Sequence, residues 1–335
     1  MAYQYDVNNF VGVNGGAEVI FALRQLLVSC GWTVVADADG TTYSGTGVQI
    51  THAGSGANGM NNSRAWFHIR GPATMVPRRE FCFQRGASGV AYWWIKVSAE
   101  DGYDVAGDAN DMPTQSAADG DSQNVTMMAA GGTTNGGFIF DGPGSAPNYG
   151  EFVYHIGADD AAPFGWYVIA KSCGTYPSND GGTIVFEPMV PGSYPDEEPD
   201  PAIYLSGSTT SMFQYGGGLG PAGTNTNGWY AKNTAGEAWV NLVPHVYYNS
   251  GYGQMVPIQA GTNGNTGQVN DFPIAWGRGS GAGTGVGWKG FGSQMRWLAC
   301  PKEEGEPLIR NGVADRICFG DVTLPWPAGV VVEVG

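Results

Sequence analysis

Charge is what this chain has least of. Asp, Glu, Lys and Arg make up only 13% of its 335 residues, and 30 acidic residues outnumber 15 basic ones, for a net charge of −15. That surplus repels phosphate backbones, so neither nucleic acid nor an anionic membrane surface is expected as a partner. Histidine is scarce too, with four residues: His52, His68, His155 and His245. The five cysteines (Cys30, Cys82, Cys173, Cys300 and Cys318) are odd in number, scattered, and never in C-x-x-C spacing. This argues against a disulfide framework and a zinc site, and fits assembly in a reducing cytoplasm. The longest apolar stretch, residues 19–28, is broken by Arg24 and Gln25 and is too short to span a bilayer, so no membrane insertion is expected. The opening Met1-Ala2-Tyr3-Gln4-Tyr5-Asp6 has neither the basic nor the apolar region of a signal peptide.

Glycine and aromatic residues are what the chain has in excess. It carries 55 Gly beside 11 Trp, 16 Tyr and 14 Phe. Disordered chains lack aromatics, so the composition predicts a folded protein with many tight turns and long ordered loops. Sparse charge with abundant aromatics suits a subunit whose surface is covered by its neighbours.

One helix is legible. Asn14 can cap it, Glu18 falls in its first turn and Gly31 follows its end. Between them Val19, Ile20, Leu23, Leu26, Leu27 and Cys30 recur at helical spacing and form one apolar stripe, with Arg24 and Gln25 mostly off it. After Gly31 the period changes. Residues 32–36 read as a strand, Asp39-Gly40 as a hairpin-type turn, and the helix is expected to pack on a sheet. Residues 65–69, 80–84 and 92–97 are short, aromatic and bounded by Gly, Pro or Asn, as strands of a meander are. Further strands are expected at 137–140, 152–156, 166–170, 183–186, 203–205, 294–298, 315–320 and 330–334. The expected fold is mainly β and sandwich-like, with one N-terminal amphipathic helix and long glycine-rich loops. Residues 101–123 form one such loop, and 216–228 and 251–287 are glycine-rich without a fixed period, which excludes collagen and solenoid repeats.

The run PGSYPDEEPDP at 191–201 cannot be helix or inner strand. It is the natural linker between a helix-plus-β domain at 1–190 and a glycine-rich β domain at 202–335, or a crossing within one intertwined domain.

Catalytic signatures are few. There is no G-x-S-x-G serine, no H-E-x-x-H and no phosphate-loop lysine. His68 and His155 lie in strand-like runs, where a ring satisfied within the fold is the plain expectation. The adjacent pairs Asp159-Asp160 and Glu303-Glu304 could suggest glycan cleavage, but they sit in turn-like surroundings that suit solvated acids. Asp37-Ala38-Asp39-Gly40 and Asp108-Ala109-Asn110-Asp111 resemble calcium loops weakly. Counted from Asp37, the twelfth position is Val48 where an EF-hand needs glutamate, and the hairpin turn is the better reading. Trp229-Tyr230, Trp239 and Tyr247-Tyr248 could stack on sugars, though aromatics in strands more often serve core or subunit contact. No catalytic, cofactor-binding or metal-ligating residue is assigned, no cofactor is expected, and the chain is not expected to be an enzyme.

Several segments resemble a family of uncharacterised virion proteins of tailed bacteriophages. The likeness runs through Ala22-Leu23, Gly31-Trp32-Thr33-Val34-Val35 and Asp39-Gly40-Thr41. It continues in Asn62-Ser63-Arg64-Ala65-Trp66-Phe67, Arg79-Glu80-Phe81-Cys82-Phe83-Gln84-Arg85 and Trp94-Ile95-Lys96-Val97-Ser98. Near the C-terminus it takes in Phe272-Pro273-Ile274, Trp288-Lys289-Gly290-Phe291 and Arg316-Ile317-Cys318-Phe319-Gly320-Asp321-Val322-Thr323-Leu324-Pro325-Trp326. Residues 141–270 carry none of it. The resemblance implies a particle component encoded among tail or neck genes. With the composition, it suggests a symmetric homo-oligomer contacting other virion proteins, in the tail or tail end. Alternatives are a receptor- or glycan-binding tip or fibre protein, with host surface glycan as partner, and a capsid decoration protein.

Overall fold

In the computed structural model the helix is α1, Gly15–Ser29. Glu18 lies in its first turn, where a carboxylate complements the positive end of the helix dipole. Val19, Ile20, Leu23, Leu26, Leu27 and Cys30 are all buried, as their spacing predicts. The helix stops in a Schellman arrangement: Trp32 N–H donates to Leu27 O at 3.0 Å and Gly31 N–H to Val28 O at 3.1 Å, with Gly31 at φ +88°. The structure describes residues 2–9, 15–41, 49–85, 92–99, 138–139, 151–172, 181–194, 196, 201–207, 228–232, 239–244, 271–279, 287–298, 307–310, 313–320 and 329–333. Asn14, the expected cap, lies outside them, as does the loop at 101–123.

A five-stranded antiparallel sheet follows the helix. Its strands β2 (Thr33–Ala38), β3 (Trp66–Arg70), β4 (Arg79–Arg85), β5 (Tyr92–Ala99) and β6 (Phe138–Ile139) lie side by side in chain order, the expected meander. Asp39-Gly40 does turn the chain, with Gly40 at φ +82°. Among the described residues the strand that pairs with β2 is β3, which begins at Trp66 after a folded loop at 49–64.

The second sheet opens with β1 (Ala2–Asn9), β7 (Glu151–Ala158), β8 (Trp166–Ser172), β9 (Gly181–Pro188) and β10 (Ala202–Gly207). Next come β11 (Gly228–Lys232), β12 (Trp239–Pro244), β13 (Asp271–Gly279) and β14 (Gly287–Leu298). Then β15 (Pro307–Arg310), β16 (Val313–Gly320) and β17 (Gly329–Glu333) complete it. Its order is β1-β7-β8-β9-β10-β11-β12-β13-β14-β17-β16-β15, every pairing antiparallel. The run at 251–287, read as glycine-rich, holds β13. Most of the remaining glycine-rich residues lie outside the described ones. The Pro- and acid-rich run 191–201 connects β9 to β10, which are paired neighbours, and Met189 N–H donates to Pro201 O at 2.9 Å across its base. Strands on either side of that run therefore belong to one sheet. That sheet also turns back on itself: Met189 bridges Gly292 of β14, and Val190 N–H donates to Phe291 O at 2.9 Å.

Both sheets and the helix contribute to one apolar core. Alternation along β3 and β4 sends Phe67, Ile69, Phe81 and Phe83 to one side, and along β7 to β9 sends Ile156, Trp166, Val168 and Phe186 to meet them. Phe81 is the hub. Its ring lies 4.9 Å from Trp166 and 5.1 Å from Phe186, both edge-on, and 5.7 Å from Trp32. Burying one such ring contributes roughly 2–3 kcal/mol before packing terms. The helix seats against β7 and β8, with Cys30 Sγ donating to Ala158 O at 3.7 Å.

Candidate functional site

Three polar assemblies stand out among the described residues. The first begins where β2 runs out. Asp37 is fully buried, yet its carboxylate accepts from Arg24 Nη2 at 2.9 Å, Gln49 N–H at 2.7 Å and Ile50 N–H at 3.1 Å. Asp39 accepts from Thr41 N–H at 2.8 Å, Thr41 Oγ1 at 2.7 Å and Asn58 N–H at 2.9 Å. The two carboxylates thus pin the loop at 49–64 at its start and at Asn58. Inside the loop, Thr51 N–H donates to Asn58 O, Met60 N–H to His52 O and Asn61 N–H to Gly54 O, while the Asn62 side chain both accepts from and donates to Gly56. Asn58 and Arg64 hold φ near +64° and +63°, and Arg85 donates from β4 to Asn61 O. The oxygens that would ligate calcium in Asp37-Ala38-Asp39 are engaged by N–H and O–H donors, so this is a loop anchor. Among the described residues no group of three or more His, Cys, Asp or Glu is arranged to hold a metal ion.

Arg24 corrects the sequence reading. It was placed mostly off the apolar stripe, but it is buried, its guanidinium 5.9 Å from the Phe67 ring centroid and paired with Asp37. The signal was there: position 24 is four after Ile20 and three before Leu27, on the flank of the stripe. Only an internal carboxylate makes such a site tolerable for an arginine, and Asp37 is remote enough in sequence to hide the pairing.

The second assembly lies on the side of the five-stranded sheet that faces away from Phe81. There Glu80 sits between His68 Nε2, 2.9 Å from Oε2, and Arg70 Nε, which donates to Oε1. Burial pushes the Glu80 carboxyl up, but hydrogen bonding and charge from His68 and Arg70 outweigh it and hold the group below the usual carboxylate range. Cys82 is the register partner of His68, and His68, Glu80 and Cys82 all have zero exposure. An imidazole beside a carboxylate and a thiol has the elements of acid–base chemistry, but here no solvent reaches the groups. Around them Ala36, Ala38 and Trp66 form a small apolar cluster with Cys82.

The third is on the matching far side of the large sheet. His155, Tyr167 and Glu187 are fully buried, and burial lowers the His155 pKa to about 3, so the ring is neutral. The ring of Tyr167 lies over Gly157, where a Cβ would come within 2.5 Å of it. The Glu187 carboxyl likewise fills the space beside Gly292, 2.4 Å from where a Cβ would stand, which is how β14 approaches β9 so closely.

The other residues weighed from sequence scatter. His52 is exposed with Nε2 3.1 Å from Ala57 O. Asp159 accepts from Gly165 N–H at 3.0 Å in the β7–β8 turn, and Asp160 beside it is exposed, in keeping with turn acids. That turn stores strain in Phe164, at φ +63°, offset by burial of its ring in the core. Cys30 and Cys82 are buried free thiols, and burial raises the Cys30 pKa. Trp229-Tyr230 fall in β11, Trp239 in β12 and Cys318 in β16. His245, Asp108, Asn110, Asp111, Tyr247, Tyr248, Cys173, Cys300, Glu303 and Glu304 lie outside the described residues. No protein-family model matches the chain, and no curated protein matches it either.

Proposed function

We propose that the chain is a non-enzymatic structural subunit of a tailed-phage particle, in its tail or tail end, working through contacts with copies of itself and with other virion proteins. In this reading the two sheets pack as a β-sandwich, a rigid body whose edges and loops are the working surface. The observation that carries it is where the ionisable side chains go. Asp37, Asp39, Glu80 and Asp159 each spend their oxygens on donors within the fold, and His68 and His155 are sealed from solvent. Such an investment favours rigidity over turnover. The low charge, the aromatic strands and the likeness to tailed-phage virion proteins support the setting, a particle assembled in the host cytoplasm.

Peptide mass spectrometry of purified particles, followed by gold labelling of a tagged subunit, tests the assignment. Several copies per particle, with label at the tail, are expected. Absence of the chain from intact particles, or release of new reducing ends when purified protein meets host envelope polysaccharide, would overturn it.

A further inference from the structure

The described sheets end in four edges, and three of them are blunted. Edge strand β15 is four residues long, opens on Pro307, ends on Arg310 and is bulged between Leu308 and Ile309. In the other sheet β2 is bulged between Val34 and Ala36, and β6 is two residues long. Short length, proline, basic residues and bulges are the devices by which proteins keep sheet edges from pairing with other chains. The fourth edge has none of them. β1, Ala2-Tyr3-Gln4-Tyr5-Asp6-Val7-Asn8-Asn9, pairs with β7 over eight residues without a register break, and contains no proline, no basic residue and a single acid. Among the described residues no strand lies on its outer side.

We infer that β1 is a self-association edge, and that a second copy of this chain adds its own β1 antiparallel across a two-fold axis to continue the large sheet. Among the described residues no backbone pairs with the outward N–H and C=O groups of β1. Such an edge asks for an extended backbone, and its own copy offers an equally long, equally unblunted one. The register is constrained. In a sheet continued through a two-fold, directly opposed residues share a face, so a centre on Tyr5 opposes Gln4 to Asp6 of the partner subunit, and Tyr3 to Val7 of the partner subunit. A centre on Asp6 would oppose two carboxylates and is disfavoured. Because each copy carries a net charge of −15, pairing strengthens as salt is added. This deepens the proposed subunit role by naming one contact, but it does not depend on the particle.

Sedimentation velocity of the full chain over a concentration series, at low and moderate salt, is combined with amide hydrogen exchange. A concentration-dependent dimer, favoured by salt, is expected. Alternate amides of β1, those turned away from β7, should gain at least roughly tenfold protection as the dimer forms, while the inward set stays protected throughout. Of Gln4→Pro and Tyr5→Pro, one removes an outward amide and should weaken dimerisation at least roughly tenfold with the β1–β7 amides intact. A chain that stays monomeric, or a dimer in which the outward β1 amides exchange as in the monomer, overturns the inference. If the chain is nonetheless found in particles, the subunit role survives that failure.

Discussion

The two sides of β3 and β4 are both buried and differ in chemistry. Facing the helix and the large sheet are Phe67, Ile69, Phe81 and Phe83; facing away are Trp66, His68, Glu80, Cys82 and Gln84. Alternation of apolar and polar residues usually sorts a strand into a dry side and a wet one. Here it sorts two dry sides, and every residue of β4 is buried. The large sheet repeats the arrangement, with Ile156, Trp166 and Phe186 inward against His155, Tyr167 and Glu187. Period two therefore reports which side a residue takes, and not whether water is there. On the five-stranded sheet Glu80 is held by His68 and Arg70, and on the large sheet the Glu187 carboxyl occupies the space that Gly292 leaves open.

If the aromatic side supplies most of the stability, cutting its hub should cost most. Phe81→Ala removes a ring in contact with Trp32, Trp166 and Phe186 and should destabilise the fold by about 3–5 kcal/mol in urea titrations. On the polar side Glu80→Gln keeps the volume and removes the charge. A smaller loss, about 1–3 kcal/mol at neutral pH, is expected. The Glu80 pKa is lowered in the fold, so its contribution is present above the ordinary carboxylate pKa and lost as pH falls through the folded value. Wild type and variant should then converge in acid. A Glu80→Gln loss that equals Phe81→Ala, or that persists unchanged in acid, would break the contrast between the two sides.

His155 gives the same contrast a pH axis. Its pKa falls from 6.5 to about 3 on burial, so the unfolded chain binds a proton that the folded chain refuses. Stability is therefore full above about pH 6.5 and declines as pH drops toward 3, by about 2 kcal/mol between pH 7 and 5 from this group. Replacing it by glutamine should flatten that part of the pH profile in thermal melts; an unchanged slope would mean the proton enters elsewhere.

What could be read from the residues alone was local. The stripe of α1 was legible because its period is 3.6 and Gly31 ends it. Strands β3 to β5 were legible because each is a short aromatic run with breakers at both ends. β1 and β13 had a signal that glycine and position obscured: Tyr3, Tyr5 and Val7 alternate, as do Phe272, Ile274 and Trp276. Pairings such as β1 with β7, or Arg24 with Asp37, were not legible, since nothing local in either partner specifies the other. The linker reading of 191–201 follows from composition that rules out regular structure, and a connection between paired strands of one sheet has the same composition. The polar sites were the least legible, because a buried Asp that anchors a loop and an exposed Asp in a turn are the same letter.

Gly31 and Gly40 share a left-handed backbone and differ in what surrounds them, which makes the smallest expected effect the sharpest comparison. At Gly40 an added Cβ would stand 2.2 Å from Ser63 O, a main-chain atom of the anchored loop that cannot swing aside. At Gly31 it would meet only Pro72 Cγ at 3.7 Å, an ordinary contact. Gly31→Ala should therefore cost only the backbone strain of φ +88°, about 1 kcal/mol, with the helix end otherwise intact in hydrogen exchange. Gly40→Ala carries the same strain plus a collision, and should also loosen the amides of Gln49, Ile50 and Asn58 that Asp37 and Asp39 hold. Equal losses at the two glycines would mean the loop yields to its neighbours, and that the carboxylates do not pin it as their hydrogen bonds imply.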